Sequence, residues 1–143
     1  MNSIKNILVL CTGNSCRSQI AHGWLSYYTG GTSNIYSAGI ETHGVNPKAI
    51  AIMSEEGVDL SNHTSNIIDE YDSIDFDFII TVCDHAAEKC PVISSKKAKR
   101  IHHNFSDPSK LKKTDEEIDE AFRVTREEIK LFCKDFVKSN LNN

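Results

Sequence analysis

No stretch of this 143-residue chain approaches the ~18 consecutive apolar residues that a membrane helix requires. Its start, residues 1–6, has no long apolar core after Lys5 and no small-residue cleavage site, so no signal peptide is expected. Positive charge is short too, with 20 acidic against 16 basic residues and a formal charge of −4. The four arginines, Arg17, Arg100, Arg123 and Arg126, are scattered, and no broad nucleic-acid face is expected. Internal repeats, low-complexity tracts and Pro-, Gly- or Ser-rich linkers are missing. One domain over 1–143, large enough for a real core, is the expectation. The five cysteines are an odd number and cannot close a disulfide framework. Without a secretion signal they read as reduced thiols in a cytoplasmic protein. Thiol chemistry is the place to look.

Strand and helix signals alternate along the chain. Residues 6–10 are a short continuous apolar run, the mark of a strand buried on both faces. A helix is expected from Arg17 to about Thr29, stopped by Gly30 and Gly31. Residues 34–38 read as a second strand. Asn46 and Pro47 offer an N-cap and first-turn proline for a helix ending near Gly57. Residues 77–82 are an apolar strand leading to Cys83, and residues 99–102 a last edge strand. The final helix is marked by Thr114 and Glu117 as a capping box, followed by Ile118, Phe122, Thr125, Ile129, Phe132 and Phe136 at helical spacing. This alternation predicts an α/β fold, a parallel sheet with helices on both faces. Such folds bind ligands beyond the carboxyl ends of their strands, where Cys11 and Cys83 both fall.

Cys11, Thr12, Gly13, Asn14, Ser15, Cys16, Arg17 and Ser18 follow an apolar strand and open a helix. Consecutive N–H groups in such a turn converge on a tetrahedral oxyanion. Arg17 adds a planar, permanently charged fork for two oxyanion oxygens. The same positive surroundings favour a thiolate, so Cys11 is expected to have a depressed pKa and act as nucleophile, with Ser18 donating to its sulfur. Cys16 belongs to the loop, but its side chain is expected to point into the fold. Cys133, beside Phe132, reads as core filler.

Cys83 and Cys90 are seven residues apart, with His85 between them. A zinc site completed by His85, His102 or His103 lacks both the CxxC spacing and a second close ligand pair. If residues 83–90 are helical, the two Cα atoms lie about 10 Å apart. A disulfide tolerates about 4.4–6.8 Å, so oxidation of this pair remodels its own backbone. Three thiols then suggest a relay. Cys11 attacks a bound oxyanion, Cys83 attacks the adduct, and Cys90 resolves the Cys11–Cys83 disulfide. Only a reducible centre calls for this; arsenate qualifies and phosphate does not. A proton donor is also needed, and Asp107 before Pro108 is a candidate. An ordinary Asp-Pro turn explains those residues equally well, and Asp84 and Asp77 are rival carboxylates.

The chain resembles the thioredoxin-coupled arsenate reductases, which share the low-molecular-weight protein tyrosine phosphatase fold. The likeness is densest over residues 8–19 and 36–47, and extends through 61–65, 83–91 and 107–108. It implies a three-layer α/β fold with a four-stranded parallel sheet in the order 2-1-3-4, flanked by helices. It implies Cys11 as the nucleophile, Cys83 and Cys90 as the relay pair, Arg17 as the oxyanion holder and Asp107 as the general acid. Residues 12–18 would bind the substrate. The implied reaction takes arsenate to arsenite, with thioredoxin restoring the thiols, and a monomer without a cofactor is expected. Some members bind potassium through positions matching Asn14, His22, Ser37 and Asn66. The second and fourth are carboxylates there, so no potassium site is expected here. The stretch 100–104, with His102 and His103, departs from a tryptophan-bearing version; contact with the acid loop or a plain surface position are both open.

Two other readings compete. A low-molecular-weight phosphatase would use Cys11 and Asp107 alone. It would carry aromatic residues after the Asp-Pro pair, where Ser109, Lys110 and Leu111 stand here. A cysteine-based arsenic or metal sensor would need a DNA- or partner-binding element, and no basic helix or second module supplies one.

Overall fold

A computed structural model describes residues 4–84 and 98–141. Strand β1 (Lys5–Cys11) is the apolar run seen in the sequence, and Ile7 to Leu10 are fully buried in it. It pairs in parallel with β2 (Ser33–Gly39) on one side and β3 (Phe78–Thr81) on the other. Strand β4 (Lys99–His102) pairs in parallel with β3, which gives a four-stranded parallel sheet in the order 2-1-3-4. The expected sheet is the observed one.

Among the described residues it is accompanied by the α-helices α1 (Arg17–Thr29), α2 (Pro47–Ser54) and α3 (Asp115–Asn140). Their ends follow the local chemistry. Gly30, at φ 58°, closes α1 in the left-handed region by donating to Ser26 O. Asn46 Oδ1 caps α2 by accepting from Lys48 N–H at 2.8 Å. That helix ends at Ser54, three residues before the expected glycine. Gly57, at φ 75°, donates to Ser54 O while Val58 donates to Met53 O, a Schellman closure that uses the extra residues as its turn. Thr114 Oγ1 caps α3 by accepting from Glu117 N–H at 3.2 Å.

Side-chain alternation assigns the two faces of the sheet. Phe78 meets Phe136 of α3 edge-on at 5.1 Å between ring centres, so Ile7 and Ile35, its register neighbours, face the helices. Tyr36 projects the other way and meets Tyr71 and Phe76. Among the described residues that second face is covered by a 3-10 turn (Ile68–Tyr71) and the chain after it, not by an α-helix. Cys133 fills the core as expected: it is fully buried, and its Sγ sits 3.7 Å from Ala21 O. Burial pushes its thiol pKa up. No described helix is long and apolar enough to cross a membrane. The carboxyl ends of β1 and β3 lie side by side, which sets the site.

Candidate active site

The turn after β1 is shaped by what its carbonyls do. Thr12 O accepts from Glu41 N–H, Gly13 O from His43 N–H and Ser65 Oγ, and Ser15 O from Asn46 N–H. Asn14 O accepts from Gln19 Nε2, and Cys16 O from Ile20 N–H. Every carbonyl from 12 to 16 is therefore tied outward. Because N–H and C=O are anti across a trans peptide, the N–H groups that follow turn to the concave side. No side chain caps the N-terminus of α1, so its first-turn donors add to the same concavity. Residues 12–17 thus form a concave turn with its carbonyls engaged outward, a shape suited to the anion binding expected of it.

Two backbone positions make the turn possible. Asn14 adopts φ 49°, and its fully buried side chain stabilises this: Nδ2 donates to Ser18 Oγ at 2.8 Å, and Oδ1 accepts from Asn66 N–H at 2.8 Å. Gly39, at the end of β2, passes so close that a Cβ would lie 2.4 Å from Glu41 O and 2.7 Å from Thr12 O. Gln19 holds the turn from below, with Nε2 also donating to Thr64 O at 3.0 Å and Oε1 opposite His63 Nδ1 at 3.0 Å.

Cys11 lies at the floor of a cleft of about 560 Å³, together with Thr12, Gly13, Arg17 and Asp107. It is only 4% exposed, and Cys83 only 3%. The two thiols stand at the ends of adjacent paired strands, near enough to interact, and Thr12 Oγ1 lies 3.4 Å from Cys83 Sγ. This corrects the expected depressed pKa of Cys11. Contact with the Cys83 thiol, then burial, push the Cys11 thiol up, against the opposing pull of Arg17 and Thr12 N–H. A thiol pair in contact gives up its second proton reluctantly.

Arg17 is the best-held charge in the cleft. Nη1 donates to Phe105 O at 2.8 Å, Nη2 lies 3.5 Å from Asp107 Oδ2, and the buried Nε has no partner among the described residues. Asp107 reaches the cleft from the far side. Its Oδ1 accepts from Ser109 N–H at 3.0 Å and from Ser109 Oγ at 2.6 Å, which fixes the carboxylate direction. The rivals are elsewhere. Asp77 accepts from Asn6 N–H at the opposite end of β3, and Asp84 pairs with His102.

Three further expectations meet the geometry as follows. Ser18 Oγ accepts from Asn14 Nδ2, because the left-handed Asn14 directs its amide there, and the Ser18 hydroxyl keeps its own proton to donate. Cys16 lines the cleft rather than pointing into the fold, beside Ser15, Ser109 and Asp107. Burial, reinforced by Asp107, pushes its pKa up to about 11. His103 does reach the acid loop, its ring packing on Phe105 at 4.3 Å between centres. Cys90, His85 and the helix expected over 83–90 lie outside the described residues.

His43, Ser109 and Lys110 also line the cleft and were not singled out from the sequence. Gly13 was the available signal for His43: a Cβ there would lie 2.7 Å from His43 Nδ1, so the missing side chain leaves room for the ring. The potassium-site positions are mutually engaged. His22 Nδ1 pairs with Ser37 Oγ at 2.8 Å, its ring lies 4.3 Å from that of His63, and Asn66 bonds Thr64 and Glu70 through its side chain.

The model of the low molecular weight phosphotyrosine protein phosphatase family matches residues 6–143. An arsenate reductase of Halalkalibacterium halodurans is 48% identical over 135 residues, covering 94% of this chain and 96% of that protein. An arsenate reductase of Bacillus subtilis is 46% identical over 135 residues, covering the same shares. A solved arsenate reductase in its oxidized state superimposes with TM-score 0.81 at 27% identity, covering 95% of this chain and 98% of that one. Vibrio vulnificus Wzb in complex with benzylphosphonate, at TM-score 0.78 and 22% identity over 96% and 99% of the two chains, shares the fold. The strand order, the cradle and these matches agree: the chain belongs to the low molecular weight phosphotyrosine protein phosphatase family, alongside relatives that are arsenate reductases.

Proposed function

We propose that the chain reduces arsenate to arsenite with its own thiols and is recycled by thioredoxin. The observation that carries this reading is the placement of two buried thiols side by side, Cys11 at the end of β1 and Cys83 just past the end of the neighbouring β3. Ester hydrolysis needs one nucleophilic thiol. A two-electron reduction needs two.

The steps balance as follows. Cys11 sulfur attacks arsenic held by the cradle N–H groups and Arg17, and an oxygen leaves as water with a proton from Asp107. Cys83 thiolate then attacks Cys11 Sγ. The S–S bond forms, and the S–As bond breaks with its electron pair going to arsenic, which departs as arsenite. Cys90 attacks Cys83 and frees Cys11 as thiolate, leaving a Cys83–Cys90 disulfide for the thioredoxin dithiol. The part given to Cys90 follows from the resemblance in sequence. Phosphorus accepts no electron pair in this way, so a phosphate ester would stop at Cys11. Ser109 and Lys110 after the Asp-Pro pair also leave no aromatic ring to sandwich a phenyl group. The reading includes no potassium requirement, since the polar atoms of Asn14, His22, Ser37 and Asn66 serve one another and their neighbours.

NADPH consumption with arsenate, thioredoxin and thioredoxin reductase tests the proposal, comparing the wild type with Cys90→Ser. Multiple turnovers in the wild type, falling to about one in the variant, are expected. Equal hydrolysis of a phenyl phosphate by both proteins, with no arsenate-dependent NADPH loss, would overturn it.

A further inference from the structure

We propose that His102, Asp84 and Asn104 are positioning residues, a side-chain clasp that ties the residue after Cys83 to the end of β4 and keeps the Cys83 thiol beside Cys11. This deepens the two-thiol reading and rests on it for its purpose.

Past the last paired residues of β3 and β4, two backbone bonds continue the ladder: His103 N–H donates to Thr81 O and Phe105 N–H to Val82 O, both at 3.0 Å. Cys83 comes next, and side chains take over. Asp84 N–H donates to Asn104 Oδ1 at 3.0 Å, and Asp84 Oδ1 lies 2.7 Å from His102 Nε2. His102 is held from its other side, with Nδ1 2.7 Å from Thr81 Oγ1. A carboxylate only accepts, so Nε2 carries the proton; in the neutral ring Nδ1 then accepts from the Thr81 hydroxyl. Cys83 is thus gripped through both neighbours. Val82 is bound to Leu10 and Phe105 through its backbone, and Asp84 to Asn104 and His102.

The same stretch of chain supplies the Phe105 carbonyl that holds Arg17, and Asp107. One segment, 102–107, therefore aligns the second thiol, the arginine and the acid together. The side chains of His102 and Asp84 are 40% and 68% exposed, so each bond is individually weak. That strength suits the task. The clasp holds Cys83 for attack on Cys11 and yields when Cys83 must meet Cys90.

Pulsed iodoacetamide labelling of the reduced full-length protein, read cysteine by cysteine by mass spectrometry, tests this. Asp84→Ala combined with Asn104→Ala is expected to alkylate Cys83 about tenfold faster, the scale of two ordinary hydrogen bonds. Asp84→Asn, whose amide oxygen still accepts from His102, restores slow labelling. Buried Cys133 reports folding; if the double variant exposes it, His102→Ala replaces that variant, with about fivefold faster labelling expected. Wild-type labelling of Cys83 in a folded variant overturns the clasp. In a Cys90→Ser background the clasp variants should also release their single arsenite more slowly, with competition by phosphate unchanged. If Cys90→Ser alone released none while the labelling difference persisted, the reduction would fall and the clasp would stand.

Discussion

Arg17 is tethered to Phe105, its Nη1 donating to that carbonyl at 2.8 Å, while its buried Nε finds no partner among the described residues. The plane of the guanidinium is thereby set before an oxyanion arrives, with one edge committed to the protein. A lysine keeps the charge but loses the fork and the tether. Arg17→Lys is expected to lower kcat/KM for arsenate by about 10²–10³. A loss under threefold in steady-state kinetics would mean that the cradle amides alone hold the substrate.

Asp107 is aimed by Ser109, which donates twice to its Oδ1. Asp107→Asn removes the proton donor and keeps the turn, since an amide oxygen still accepts from Ser109. The expected result is a kcat lowered by about 10²–10⁴. The inhibition constant of phosphate should stay within a few fold. A matching rise in that constant would make Asp107 a binding group instead.

Cys83 is the first reason that the Cys11 thiol holds its proton. Cys83→Ala removes that contact and leaves the pull of Arg17 and Thr12 N–H. The pH dependence of Cys11 alkylation is therefore expected to shift to lower pH in the variant. An unchanged or higher midpoint would show that burial, not the neighbouring thiol, dominates.

His22 is half-buried between Ser37 of β2 and His63, and desolvation there, with the His63 ring beside it, lowers its pKa to about 3. The unfolded chain takes up this proton near pH 6.5, and the native protein does not until about 3. Stability attributable to His22 is complete above pH 6.5 and is lost as pH falls through that window. The loss is on the order of 2 kcal/mol at pH 5. Urea unfolding at pH 7 and pH 5 checks this: His22→Asn should show a smaller drop than the wild type. An equal drop would place the acid sensitivity elsewhere.

Turnover with arsenate is expected to be the same in sodium and in potassium chloride at equal ionic strength. An activation by potassium of severalfold would show that Asn66 and the His22 pocket admit the ion after all.

Much of this was legible because it is local. The apolar run of β1, the glycine that stops α1, Asn46 before Pro47 and Thr114 before Glu117 each act within a turn of themselves. The turn between β1 and α1 was legible for the same reason, since residues 11–18 form one continuous motif. What the sequence hid depends on distant partners. The state of the Cys11 thiol is set by Cys83, the company of Cys16 by Ser109, and the end of α2 by a closure running on to Val58. His102 looked like a surface residue or a metal ligand. Its partner Asp84 comes from the neighbouring strand exit, and only the parallel pairing of β3 with β4 brings them together.

The left-handed Asn14 and the bonds that hold it have a thermodynamic consequence. Asn14, Ser18, Gln19 and Asn66 lock the turn from within, so an entering oxyanion has little chain to order. A tetrahedral ion also covers little apolar surface in this cradle. Calorimetric titration with inorganic phosphate should therefore show a heat-capacity change near zero, with affinity that Asn14→Ala weakens mainly through a more unfavourable entropy.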